Sequence, residues 1–136
     1  MLHSLKKFGI SEPKGKKILV VDDDPENVEL VEIALKEAGF DVLKAYGGRE
    51  GIDIIINQKP DAVILDLMMP EVSGFDVIAK VKKELKMEMP IILYTAKTLT
   101  AEEIKFLNSD IEEIIKKSEF SKEYLIKEIE KAVGKG

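Results

Sequence analysis

Apolar residues in this chain occur as short continuous runs that alternate with segments of helical spacing. A run such as 18–21, in which every residue is apolar, is typical of a strand that is covered on both faces. Several further segments have strand length and composition. The pattern predicts strands over 18–21, 41–45, 62–66, 91–95 and 111–116.

The segments between these runs carry helix start signals and apolar residues at helical spacing. Asp24 before Pro25 predicts an N-cap followed by proline at the first helical position. Thr100 and Glu103 match a capping box, and Ser121 is placed to cap a last helix. The apolar positions predicted to share a helix face are Val28, Val31, Leu35 and Ala38, then Ile52, Ile55 and Ile56, then Phe75, Ile78, Val81 and Leu85, and finally Leu125, Ile129 and Val133.

The order of these elements predicts the fold class. Five strands, each followed by a helix, indicate an α/β protein with a parallel sheet, helices on both faces and right-handed crossovers. In open parallel sheets, ligands bind beyond the carboxyl ends of the strands. We therefore expect the functional chemistry at that edge of the sheet.

Polar residues follow four of the predicted strands. Asp22 and Asp23 follow the first, Asp66 ends the third, Thr95 ends the fourth and Lys117 follows the fifth. Three carboxylates, one hydroxyl and one ammonium are thus expected to meet at one edge. Carboxylates this close repel one another and stay partly protonated unless a cation joins them.

The expected oxygen ligands favour a hard cation. Mg²⁺ commonly takes one or two carboxylates and several waters, which leaves room for a phosphate oxygen. With that charge in place, an aspartate can act as a nucleophile and form an acyl phosphate. Lys117 can add a point charge to the phosphate, and Thr95 can donate a hydrogen bond to it.

A structural interpretation competes with this one at each position. An aspartate after a strand often serves only as a helix cap or turn residue, and this is the role that we assign to Asp24. Assigning Asp22 and Asp66 to a functional site depends on all the polar residues found at the strand ends and not on either aspartate alone. Chance would have to place compatible chemistry at four separate strand ends.

Composition sets limits on the function. The chain has 136 residues, a formal net charge of −5 and no cysteine, as expected for one domain in the cytoplasm. Its lysines are scattered and no apolar run has membrane-spanning length, so we expect neither nucleic-acid nor membrane binding. Residues 1–15 look like a flexible lead-in in which His3 is solvated, and no secretory signal is predicted there.

Four segments of the chain carry a family resemblance. They are Asp22-Asp23-Asp24 after the first apolar run, Asp66 through Pro70 with Gly74, Tyr94-Thr95-Ala96, and Lys116-Lys117. In this order and spacing, the chain from about residue 17 to 133 resembles the receiver domain of two-component response regulators. The resemblance implies a receiver domain over 16–134 with a flavodoxin-like sheet of order 2-1-3-4-5.

The resemblance also implies a role for each site residue. Asp66 would accept a phosphoryl group from a phosphohistidine on a histidine kinase or histidine phosphotransfer protein. Asp22 and Asp23 would form the acid pocket. The Mg²⁺ ligands implied are Asp23, Asp66 and the backbone carbonyl of Met68, with Asp22 beside them. The phosphoryl contacts implied are Thr95, which moves in the switching step, the amide of Ala96, and Lys117.

Three features depart from the family pattern. Ile114 occupies the position where receivers usually have a switching Tyr or Phe, so an aromatic swing coupled to Thr95 is not available and the output route is open. Ser118 replaces the usual proline after the lysine, which removes the tertiary amide that favours a cis bond and predicts a less fixed loop. The segment 108–110 predicts a short or displaced fourth helix.

Two positions lead to a kinetic hypothesis. Met68 lies two residues after Asp66, and Lys97 lies two residues after Thr95. In this family such positions flank the path of hydrolytic water. An apolar Met68 and a long Lys97 are therefore expected to slow loss of the phosphoryl group.

The expected function is a phosphoacceptor that is not an enzyme beyond assisting its own phosphorylation and dephosphorylation. Few residues follow Val133, so output is expected through contact with an unknown protein, by the face of the fourth helix, fifth strand and fifth helix. A homodimer is left open. Two alternatives remain: a pseudo-receiver that binds without phosphorylation, and a Mg²⁺-dependent phosphohydrolase, which usually needs a second acid where Met68 stands.

Overall fold

The computed structural model describes residues 15–107 and 109–134, and strands and helices alternate through them. In chain order the elements are β1 (Lys17–Val21), α1 (Pro25–Glu37), β2 (Asp41–Ala45), α2 (Gly48–Gln58), β3 (Ala62–Leu65), α3 (Gly74–Ile78), β4 (Ile91–Thr95), α4 (Ala101–Leu107), β5 (Glu113–Lys116) and α5 (Lys122–Gly134). A π-helical segment (Ala79–Glu84) continues α3, and a 3₁₀ turn (Lys117–Glu119) follows β5. The predicted lead-in over 1–15 lies, except for Gly15, outside the described residues.

The strands form one parallel sheet in the order β2-β1-β3-β4-β5. This confirms the predicted α/β class and the flavodoxin-like order. Val21 at the end of β1 pairs with Leu65 at the end of β3, and Thr95 at the end of β4 pairs with Lys116. The register therefore brings the carboxyl ends of β1, β3, β4 and β5 to the same edge.

Two apolar layers cover the sheet. The α1/α5 layer contains Ile64 and Tyr94 from the strands together with Leu35 and Ile129 from the helices. The opposite layer, here called the α2/α3/α4 layer, is formed by side chains such as Leu65 and Leu93 with residues of those helices. Burial on both faces is what the continuous apolar runs predict, because alternate residues of each strand point to opposite layers.

The predicted helix caps are present. Asp24 Oδ1 accepts a hydrogen bond from the Glu26 amide at 3.0 Å. The Thr100 and Glu103 side chains each accept a bond from the other's amide, at 3.1 and 2.9 Å. Ser121 Oγ accepts one from the Tyr124 amide at 3.2 Å. Each bond satisfies an amide that the first helical turn leaves unpaired.

Three strand boundaries differ from the prediction. β1 begins at Lys17, one residue earlier, because Lys17 pairs with Asp41 at the start of β2. β5 begins at Glu113 and not at residue 111, because pairing with β4 begins at Ile92 opposite Glu113. β3 ends at Leu65, because the Asp66 carboxylate accepts a hydrogen bond from the amide of Met68 and turns the chain there.

Two helix faces also differ. The buried face of α2 is centred on Gly51 and Ile55, so Ile56, about 100° further round the helix, is exposed. Leu85 was expected on the buried face of the third helix but is exposed. Its amide bonds to the carbonyl of Lys80, five residues earlier, and this wider π-helical turn rotates the side chain away.

The short fourth helix is confirmed, since α4 has seven residues with Leu107 as its buried residue. Residue 108, part of the segment behind that expectation, is outside the described residues. No cis peptide bond occurs over 15–107 and 109–134, in keeping with serine at position 118. Over the same ranges, none of the helices combines the length and the apolar character that crossing a bilayer would require.

Candidate functional site

Asp22, Asp23 and Asp66 come together beyond the carboxyl ends of β1 and β3. Their carboxylate oxygens lie within 4.8 Å of one another. Asp22 and Asp66 are buried, with 3% and 4% of their surface exposed, whereas Asp23 is exposed. The two adjacent strands therefore form a pocket with two buried acids and one acid at the solvent boundary.

Local backbone geometry holds the two buried carboxylates. Asp22 Oδ1 accepts a hydrogen bond from the Asp24 amide at 3.0 Å, and Asp66 Oδ1 accepts one from the Met68 amide at 3.2 Å. In both cases the donor lies two residues further along the chain, which is the geometry of an Asx turn. One oxygen of each acid is thus held by its own loop, and the other faces a partner.

That partner is Lys117, which follows β5 at the edge of the sheet. Its Nζ lies 2.8 Å from Asp22 Oδ2 and 3.3 Å from Asp66 Oδ2. We call Asp22, Asp23, Asp66 and Lys117 the acid pocket. Three carboxylates against one ammonium leave the pocket with an excess of negative charge.

The charge balance shifts the pKa values in the pocket. Burial raises the pKa of the Asp66 carboxyl and the charge of Asp22 raises it further, against the opposing effects of the Met68 amide and Lys117. Burial alone would lower the pKa of the Lys117 ammonium, but its hydrogen bond to Asp22 and the charge of Asp66 outweigh it and raise the pKa. The pocket thus keeps a protonated amine and disfavours further negative charge.

The donor set fits Mg²⁺. The candidate ligands that the structure brings together are the carboxylate oxygens of Asp22, Asp23 and Asp66, and a divalent ion would offset the excess negative charge. The exposed position of Asp23 leaves that side of the pocket open to water, as a partly hydrated ion requires.

Thr95 is fully buried at the end of β4, the strand next to β3. Its Oγ1 accepts a hydrogen bond from the Lys97 amide at 3.1 Å, so the hydroxyl is tied to its own loop. Ala96 is exposed at the start of that loop. The structure therefore places Thr95 and Ala96 at the predicted edge.

Lys97 and Met68 both lie near this edge, but they differ in surroundings. The Lys97 ammonium pairs with Glu103 Oε2 at 3.3 Å, which ties the β4–α4 loop (residues 96–100) to the first turn of α4. Met68 is 57% exposed in the loop between β3 and α3 (residues 66–73), which we call the acceptor loop. Met68 thus presents an apolar side chain to solvent, and the Lys97 side chain is drawn toward α4.

Sequence reasoning gave no role to Gly74, which supports the acceptor loop. Its amide donates to the Leu67 carbonyl at 3.0 Å, and a Cβ added at Gly74 would lie 2.4 Å from the Asp66 carbonyl oxygen. A side chain is therefore excluded. A reciprocal capping box between Ser73 and Asp76 fixes the start of α3 there. The polar pair three residues apart at 73 and 76 is the signal that could have revealed it.

The fold and the pocket define a class of protein: a flavodoxin-like α/β domain with an acidic site at the carboxyl edge of its sheet. The sequence matches the family profile described as response regulator receiver domain over residues 18–130. The chain belongs to this family.

Solved structures of the same kind are similar to this chain. A CheY-like receiver domain protein from Methanospirillum hungatei JF-1 has 26% identity and a TM-score of 0.81, covering 88% of this chain and 94% of that one. The Francisella response regulator 1452 receiver domain has 27% identity and a TM-score of 0.77, with coverage of 89% and 98%. The response regulator TrrA from Thermotoga maritima, in complex with Mg(2+)-BeF, has 33% identity and a TM-score of 0.76, with coverage of 86% and 98%.

Proposed function

We propose that this chain is a phosphoacceptor of a two-component phosphorelay, in which Asp66 takes a phosphoryl group from a phosphohistidine. The donor would be a histidine kinase or a histidine phosphotransfer protein. The observation that carries the proposal is the acid pocket, where Asp66 lies beside Asp22, Asp23 and the ammonium of Lys117. The similar TrrA forms a complex with Mg(2+)-BeF, which supports the choice of Mg²⁺ as the metal here.

The transfer step needs a nucleophile and charge compensation. A carboxylate oxygen of Asp66 attacks phosphorus as the bond from phosphorus to the donor imidazole nitrogen breaks. The bonding electron pair stays on the imidazole, which takes up a proton where the donor site requires one. Lys117, already 3.3 Å from Asp66, balances charge on the phosphoryl oxygens.

The metal requirement follows from the same charges. Asp22, Asp23, Asp66 and the Met68 carbonyl would hold Mg²⁺, whose positive charge would let an anionic phosphoryl group approach an anionic carboxylate. Asp23, the exposed acid, would be the carboxylate most accessible to a hydrated ion from solvent. The Met68 amide meanwhile keeps Asp66 Oδ1 oriented.

Switching would begin at Thr95. The Thr95 hydroxyl accepts the bond from the Lys97 amide and keeps its own O–H free to donate, so Thr95 would donate to the phosphoryl group by moving toward it, which would strain or break the bond from Lys97. The Ala96 amide would contact the same group. Because Lys97 is paired with Glu103, the movement of Thr95 would displace α4 even though position 114 is isoleucine and not an aromatic residue. The surface of α4, β5 and α5 is the proposed output face.

The remaining assignments belong to the same proposal. The receiver domain spans 16–134, acts in the cytoplasm and assists only its own phosphorylation and hydrolysis. Its partners are the phosphohistidine donor and a downstream protein of unknown identity, and neither nucleic acid nor membrane is a ligand. A homodimer through helix faces is a further outcome that size measurement would detect.

Intact-mass measurement tests the proposal. The protein is incubated with acetyl phosphate and Mg²⁺, and we expect the mass of one phosphoryl group to be added. When EDTA is present during the incubation, we expect no increase in mass. Asp66→Ala should remain unmodified, whereas the matched control Asp53→Ala, at an exposed position on α2, should be modified like the wild type. Modification of Asp66→Ala would show that the acceptor is elsewhere.

The same reaction separates the alternatives. Sustained acyl phosphate supports the receiver function. Rapid, repeated release of inorganic phosphate would indicate a phosphohydrolase. An unmodified wild type that still binds Mg²⁺ would indicate a pseudo-receiver, and the phosphoacceptor proposal would then be withdrawn.

A further inference from the structure

An aromatic ring lies against the lysine of the acid pocket. Lys117 Nζ is positioned over the ring of Tyr94, 5.6 Å from its centroid. The ring of Phe120 contacts Tyr94 at a centroid distance of 5.7 Å and an interplanar angle of 56°. The ammonium is thus held by two carboxylates and one aromatic face, at a distance where cation–π attraction operates.

The backbone that carries Lys117 is short and lies at the edge of the sheet. It follows β5, an edge strand of four residues, and begins a 3₁₀ turn in which Ser118 comes next. A lysine side chain has a flexible four-carbon stem and a single charged end. A rigid side chain packed beside the ammonium reduces the number of positions that the ammonium can adopt.

Tyr94 is suited to restrict the ammonium because its own side chain is rigidly held. It lies within β4, which pairs with strands on both sides, and only 3% of its surface is exposed. Phe120 follows the 3₁₀ turn and packs against the same apolar layer. The turn that carries Lys117 is therefore anchored at its far end to the ring that the ammonium contacts.

We propose that Tyr94, supported by Phe120, is a positioning residue that holds the ammonium of Lys117 at Asp22 and Asp66. This inference depends on the proposed function for its kinetic consequence but not for its geometry. Tyr94 lies in the α1/α5 layer, whereas Ile114 packs in the α2/α3/α4 layer. The aromatic residue next to the pocket is thus on the opposite face of the sheet from the position where receivers usually carry one.

The π face of Tyr94, and not its hydroxyl, makes the contact with Lys117. Tyr94→Phe should therefore preserve the position of the ammonium, whereas Tyr94→Leu should lose it while keeping an apolar side chain in the core. Phe40→Leu is the matched control, because Phe40 is a buried aromatic residue of the same layer without a contact to Lys117 among those described.

The first test is NMR of the protein without phosphodonor or Mg²⁺. A proton near the face of an aromatic ring is shifted upfield, so the ε-methylene protons of Lys117, assigned with Lys117→Arg, should show this shift. We expect the shift in the wild type, Tyr94→Phe and Phe40→Leu, and its loss in Tyr94→Leu. Unshifted protons in the wild type would overturn the proposal.

The second test is the rate of phosphorylation by acetyl phosphate with Mg²⁺. Loss of a cation–π contact at a partly buried site predicts a decrease of roughly threefold to tenfold in Tyr94→Leu, and a rate within roughly twofold of wild type in Tyr94→Phe. Equal rates in Tyr94→Leu and Phe40→Leu would overturn the kinetic role. A wild type that takes no phosphoryl group would contradict the proposed function, while the NMR shift would still decide whether Tyr94 holds the ammonium.

Discussion

The acid pocket and the β4–α4 region are neighbours at one edge of the sheet, but they are held in different ways. In the pocket, Asp22 and Asp66 are buried and each is tied to a backbone amide and to Lys117. In α4, Leu107 is the buried residue, and the loop before the helix is tied to it by the partly exposed pair Lys97–Glu103.

This difference suits the acid pocket to the chemical step and the β4–α4 region to the conformational change. Buried groups with several polar partners change position only at a large free-energy cost, whereas exposed ion pairs contribute at most about 1 kcal/mol. An edge-to-face contact between Phe75 and Phe106, at 6.0 Å, is a further link from α4 to the rest of the domain. A change of charge in the rigid pocket would thus be relieved by displacing the weakly held β4–α4 region.

The largest effect is expected from a substitution that disturbs the backbone of the acid pocket. Gly74→Ala should lower the free energy of unfolding by roughly 1–3 kcal/mol or more, because the new methyl group meets backbone atoms of Asp66 and Leu67. It should also slow phosphorylation, because the displaced backbone carries the acceptor. Chemical denaturation and intact-mass kinetics measure the two effects.

Gly47→Ala is the control for this substitution. A Cβ at Gly47 has no neighbour within 4 Å, so the free energy of unfolding should change by less than about 1 kcal/mol. Equal effects at both glycines would show that the close approach at Gly74 is not what restricts the acceptor loop.

A smaller effect is expected from removing the buried charge of the acceptor. Asp66→Asn should raise the free energy of unfolding at pH 7 by on the order of 1 kcal/mol, because burial and Asp22 raise the pKa of Asp66 and make its ionised form costly. A raised pKa means that the folded state binds the proton more tightly, so the wild type gains stability as the pH falls toward the ordinary aspartate pKa of 3.8.

The advantage of Asp66→Asn should therefore shrink as the pH falls, as denaturation at several pH values would show. Mg²⁺ should stabilise the wild type and the control Asp53→Asn, and have less effect on Asp66→Asn. A constant advantage at all pH values would mean that the ionisation of Asp66 is not its source.

The smallest effect on stability is expected from substitutions at Met68 and Lys97. Met68→Asn and Lys97→Glu should leave stability nearly unchanged, because both side chains are partly or largely exposed. Both should accelerate loss of the phosphoryl group several-fold, since a polar or shorter side chain admits water more readily. Unchanged release of inorganic phosphate in both variants would contradict the kinetic hypothesis.

The pattern of apolar residues predicted most of the fold because each local signal had a structural counterpart. The run at 62–66 contains β3 (Ala62–Leu65), which is buried on both faces, and the cap at Asp24 started α1. The pattern failed at Leu85 because the helical period assumed 3.6 residues per turn, whereas the structure has a π-helical turn there. It failed at residue 111 because the length of an edge strand depends on where its neighbour begins.

The sequence alone determined the fold class and the set of acid pocket residues, because alternating strands and helices in a parallel sheet place every strand's carboxyl end at one edge. Only the tertiary structure decided the partners of each side chain. Lys117 is 51 residues from Asp66 in sequence, and its position between Asp22 and Asp66, over the ring of Tyr94, depends on register and strand order. Such contacts between distant segments have no local signal, since distances across the sheet arise only when the strands pair.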